Sequence, residues 1–68
     1  MIHYTLKEEY IELYKLIKLL DLVDSGGDAK MLIANGVIER NGIIETRKRA
    51  KIRKGENIRI GDVLINVE

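Results

Sequence analysis

The spacing of apolar and polar residues changes several times along the 68-residue chain, and each change marks a predicted element. Ile2, Tyr4 and Leu6 alternate with His3, Thr5 and Lys7, the period-two pattern of a short half-buried strand. From Glu12 the period lengthens. Leu13, Leu16, Ile17 and Leu20 then fall at i, i+3, i+4 and i+7, which predicts a helix with one aliphatic face and with Lys15 and Lys18 off it. The run Asp24-Ser25-Gly26-Gly27-Asp28 interrupts this pattern, and Ser25 is placed to cap a second helix with an apolar stripe of Ala29, Leu32 and Ile33. Asn35-Gly36 ends that helix.

Strand patterns follow. Residues 37–40 and 43–46 flank Asn41-Gly42, the pair best suited to the positive φ angles of a type I′ hairpin turn. Further on, Ile58 and Ile60 are separated by Gly61-Asp62 from Val63, Ile65 and Val67, which predicts a second hairpin. No repeat or linker interrupts the sequence, so residues 1–68 read as a single domain.

Composition narrows the function more than the fold. Eleven Ile, eight Leu and four Val supply an aliphatic core, whereas the aromatic residues are three Tyr alone. With no Cys, disulfides, thiolate metal sites and thiol catalysis are excluded, and a reducing compartment fits. The longest apolar run is Met31 to Ala34, too short for a membrane span or a signal-peptide core, so a cytoplasmic, soluble protein without a membrane partner is expected. Catalysis requires nucleophile, base and orienting group together. Here His3 is the single His and Ser25 the single Ser, one in a predicted strand and the other at a predicted cap, so no enzyme activity, metal or cofactor is expected. Glycines at Walker or dinucleotide spacings are missing as well, which argues against a nucleotide-like small-molecule substrate.

Net charge is only +1, but its distribution is uneven. Residues 46–54 read TRKRAKIRK, with six basic groups and no acid. In an extended conformation Arg47, Arg49, Lys51 and Arg53 would project to one side, roughly 6.5–7 Å apart, comparable with phosphate spacing on a nucleic-acid strand. A solvated edge strand kept soluble by its charges is the plainer alternative. A second anion site is suggested at Asp24-Ser25-Gly26-Gly27, where two glycines after a cap leave first-turn amides unshielded. The shortage of aromatic rings favours recognition of backbone and shape over base stacking.

In this order the signals resemble the S-four RNA-binding domain, or alpha-L motif, and more closely its small stand-alone bacterial members of the YbcJ/YaaA type. The resemblance rests on Leu16-Ile17-Lys18-Leu19, on Ser25-Gly26-Gly27 with Ala29-Lys30, on Asn41-Gly42, and on Glu45-Thr46-Arg47-Lys48-Arg49 with Lys51-Ile52. It covers residues 11–67, and Glu45 to Arg49 is its most distinctive part. It implies an α+β fold in which two short helices pack on a small, bent, mostly antiparallel sheet of four to five strands. It also implies binding of structured RNA, often ribosomal RNA, through Lys18, Ser25, Gly26, Gly27, Lys30, Asn41, Arg47, Lys48, Arg49 and Lys51. Local charge adds Lys15, Arg40 and Arg53.

Two positions depart from the family pattern. Arg40 stands where an inward aliphatic is usual, so either the core face of the hairpin is shortened or the side chain reaches outward to the basic surface; the second is expected. Gly26 follows Ser25 where the wider family often has Arg, which removes one charge. The expected protein is thus a monomeric, ribosome-associated RNA binder, with ribosomal proteins as further partners and a role in ribosome assembly or translation. A protein-interaction module docking its basic face on an acidic surface is the alternative.

Overall fold

A computed structural model describes residues 1–68 and gives seven strands and two helices. They are β1 (Ile2–Tyr4), β2 (Ile11–Glu12), α1 (Leu13–Leu19), α2 (Gly26–Ala34), β3 (Ile38–Arg40), β4 (Ile43–Ile44), β5 (Lys51–Ile52), β6 (Asn57–Ile60) and β7 (Val63–Val67). Five strands form a mixed sheet in the order β1-β7-β6-β3-β4, in which only β1 and β7 run parallel. The α+β class and the two predicted hairpins are therefore present. The separate antiparallel pair formed by β2 and β5 was not expected from the sequence.

The local signals act where the sequence places them. Ser25 caps α2, its hydroxyl oxygen accepting the Asp28 amide at 3.1 Å, and Gly36 at φ +74° ends the same helix just past Asn35. Asn41 and Gly42 both take positive φ, 52° and 85°, as a type I′ turn requires. The first helix starts where its aliphatic face does, at Leu13. Its N-cap, Glu12, belongs to β2, where it pairs with Lys51.

The core is almost wholly aliphatic. Leu13, Leu16 and Ile17 of α1 and Ala29 and Ile33 of α2 are fully buried against Ile38, Ile52, Ile58, Ile65 and Val67 from the strands. Leu6, just beyond β1, is also buried, its amide donating to the Glu68 carbonyl at 2.7 Å. The helices thus cover one face of the sheet, each fully buried Leu or Ile contributing about 1.5–3 kcal/mol of transfer free energy. No helix is long and apolar enough to cross a membrane.

Candidate nucleic-acid interface

The basic stretch is not one extended strand. Only Lys51–Ile52 are in strand conformation, and the chain turns at Lys48–Arg49, with the Ala50 amide donating to the Arg47 carbonyl at 3.2 Å. Its two small or apolar residues explain the path. Ala50 and Ile52 are buried in the core and anchor the segment, and the Leu13 and Tyr14 amides donate to the Ala50 and Lys48 carbonyls at 2.9 and 3.1 Å. The loop is strapped across the start of α1. Despite the turn, Arg47, Arg49, Lys51 and Arg53 converge with Arg40 and Ala50 around one open recess.

Two carboxylates lie beneath the recess. Glu45, only 9% exposed, accepts from the Arg47 amide at 3.1 Å, from its Nε at 3.0 Å and from its Nη2 at 3.1 Å. Arg40 Nη1 donates to the same carboxylate at 3.3 Å. The Arg47 guanidinium, helped by Arg40, outweighs the opposing effect of burial and holds the Glu45 carboxyl down at about 2. Glu56 accepts from Arg40 Nε at 2.7 Å and Nη2 at 3.1 Å, from the Arg53 amide at 2.7 Å and from Asn41 Nδ2 at 3.0 Å. Its carboxyl is also lowered, chiefly by Arg40. In return, Glu56 and Glu45 raise Arg40, and Glu45 raises Arg47.

Arg40 joins the basic surface, as expected, but it is held there by these bonds and is not a free cation. Its guanidinium folds between Glu45 and Glu56 and gives a further bond to the Lys51 carbonyl at 2.9 Å, so most of its donors are engaged within the protein. Asn41 is similarly engaged: Oδ1 accepts the Asn57 amide at 2.9 Å while Nδ2 serves Glu56. Both residues shape the recess from beneath.

A second surface lies across α1. Its half-buried Tyr14 ring is approached by Lys30 Nζ at 4.7 Å, Lys15 Nζ at 5.9 Å and Arg49 Cζ at 6.0 Å, three cations from three different segments. Lys15 is also paired with Glu12 at 3.1 Å, which raises its pKa. Lys18 lines a recess with Tyr14, Lys15, Leu19 and Gly26. Gly26 borders the ring, and a Cβ there would meet it at 3.9 Å, an ordinary van der Waals contact. Ser25 is occupied with its cap, while the amides of Gly26 and Gly27 that follow it have no side chain of their own over them.

Tyr10 is flanked in the same manner by Lys51 Nζ at 5.0 Å and Arg53 Cζ at 5.7 Å, and Arg53 also meets Glu9 at 3.4 Å. Lys48 is exposed in the turn, and its carbonyl holds the start of α1. The candidates thus divide into a cluster on the 47–53 loop and a cluster on the two helices, with Arg49 touching both. The two tyrosines were missed. Tyr14 stands next to Lys15 in sequence, whereas Tyr10 follows two glutamates and gave no local signal.

The residues His3 and Ser25 have structural partners, His3 Nδ1 bonding to the Glu68 carboxylate and Ser25 capping α2.

Comparison with known proteins agrees with this architecture. The family model described as S4 domain matches residues 4–68. The solution structure of Escherichia coli YbcJ, described as revealing an alpha-L motif involved in RNA binding, superposes with a TM-score of 0.75 at 37% identity, covering 98% of this chain and 86% of YbcJ. Among curated protein sequences none matches. A match over nearly the whole chain, together with the two helices and mixed sheet just described, establishes that the protein belongs to the S4 domain family and carries the alpha-L fold.

Proposed function

We propose that this protein binds structured RNA, with ribosomal RNA the leading target and ribosome assembly or translation the process it serves. The observation that carries the reading is the convergence of Arg47, Arg49, Lys51 and Arg53 on one open recess. Membership of a family whose member YbcJ is described as having an RNA-binding motif supports it. Exposed guanidinium and ammonium groups on a fixed loop suit phosphate oxygens, and their placement makes the contact one of backbone and shape. Lys18, Lys30 and the first turn of α2 extend the same surface across the helices.

Four to six neutralised phosphates would give a log-log salt slope of roughly −3 to −5. The test is equilibrium binding to a structured ribosomal RNA fragment at several salt concentrations, with duplex DNA as competitor. Reversing Arg47 would place a third carboxylate beside Glu45 and Glu56, so the informative variant is Arg49→Glu with Lys51→Glu. This variant should bind on the order of 100-fold more weakly at moderate salt, with a flatter slope and an unchanged circular dichroism spectrum. Undiminished binding by the folded variant would reject the recess as the RNA site.

A further inference from the structure

Tyr14 occupies an unusual position. Its neighbours Leu13, Leu16 and Ile17 are fully buried, yet its own ring is only half-buried and forms one wall of the recess between α1 and the start of α2. Leu19, 61% exposed, forms another apolar wall of that recess, and Lys15 and Lys18 complete its rim. Gly26 supplies the remaining wall without a side chain. An aromatic face beside a branched aliphatic, bordered by two ammonium groups, combines a surface for a planar apolar ring with donors for an anion. A nucleotide offers a partner to each, its base to the ring and its phosphate to the ammonium groups. Arg49 links the site to the arginine recess, since it lines that recess and also stands 6.0 Å from the Tyr14 ring.

We propose that this recess receives an unpaired nucleobase of the bound RNA, stacked against Tyr14 and Leu19, with the adjoining phosphate held by Lys15 and Lys18. The inference rests on the RNA-binding reading above and adds to it a preference for stems interrupted by a bulge or loop over uninterrupted duplexes. A base inside a duplex keeps its faces stacked on its neighbours, whereas an unpaired base can turn out onto a side-chain platform. Arg49 then places phosphates of the same strand at the loop.

The experiment compares two RNAs, a hairpin stem with a single-nucleotide bulge and the same stem fully paired. The unaltered protein should bind the bulged stem about tenfold more tightly. Leu19→Ser should remove that preference while leaving affinity for the paired stem and the salt slope unchanged, and Tyr14→Leu should remove the preference as well. Leu19 is exposed, so its variant keeps the test valid should the Tyr14 substitution disturb packing. Tyr14→Phe should retain the preference, because the ring and not the hydroxyl is used. In the unaltered complex, the Tyr14 ring protons should shift upfield on binding the bulged stem. Equal affinity of the unaltered protein for both stems, or an undiminished preference in Leu19→Ser, would overturn the inference even if Arg49→Glu with Lys51→Glu still abolishes binding. If that charge variant binds both stems normally, it is the RNA reading of the arginine recess that fails.

Discussion

Arg40 and the 47–53 loop face the same recess, yet their cations are used differently. Arg40 lies below, its side chain 22% exposed, and divides its donors between Glu45, Glu56 and a backbone carbonyl. Arg49 and Lys51 sit on the rim without a carboxylate partner, meeting tyrosine rings instead. Arg47 joins the two levels: its side chain is 74% exposed while its guanidinium is held by Glu45. A run of similar residues in sequence thus separates into cations that build the loop and cations that remain available to a ligand. The difference comes from the two acids beneath, since a poorly solvated carboxylate must be matched by a nearby donor.

The contrast can be broken most directly from below. Arg40→Ala would leave Glu45 and Glu56 short of their shared partner and should cost about 2 kcal/mol in urea unfolding, less than for a fully buried pair because the network is partly solvated. Arg49→Ala, on the rim, should change stability by less than about 0.5 kcal/mol while still weakening RNA binding. If both variants lost stability equally, the division into two levels would be wrong.

Acid sharpens the same point. Glu45 is depressed from an ordinary 4.5 to about 2, so its contribution is complete above about 4.5 and disappears as pH falls toward 2. Glu56, also lowered, adds in the same direction. Glu45→Gln should cost about 1–2 kcal/mol at neutral pH and reduce the loss of stability between pH 4.5 and 2, as followed by thermal melts across that range. A variant with the same acid profile as the unaltered protein would locate the acid sensitivity elsewhere.

Smaller effects separate structural from binding roles on the helices. Ser25→Ala should lose about 1 kcal/mol through the α2 cap, and RNA affinity measured well below the melting temperature should fall only if the hydroxyl also meets the ligand. Least of all, Glu9→Gln breaks an exposed pair with Arg53 and should shift stability by no more than about 0.5 kcal/mol.

Much of this fold could be read from local patterns. The face formed by Leu13, Leu16, Ile17 and Leu20, the Ser25 cap, and the Asn41-Gly42 and Gly61-Asp62 turns each act within a few residues, and each is present. The pairing of β2 with β5 was hidden because two-residue strands have no period to detect and join positions forty residues apart. The pairing of Arg40 with two carboxylates was missed for a related reason. Its partners Glu45 and Glu56 lie 5 and 16 residues away, so its charge alone suggested solvent. The grouping of Arg47, Arg49, Lys51 and Arg53 was anticipated, but for a straight strand; buried Ala50 and Ile52 bring them together around a turn. Tyr14 was discounted with the other tyrosines as too few rings for base stacking, and the cations that gather on it come from Lys30 and Arg49, distant in sequence.

One feature of the main sheet bears on the order of events during synthesis. β7 lies between β1 and β6, and β1 pairs with no other strand. β1 leaves the ribosome before β7 and must therefore wait for it before it has a neighbour, with Ile65 and Val67 still missing from the core in the meantime. The helices and the β3–β4 hairpin can form earlier from local contacts, but the sheet closes only when its final strand is delivered.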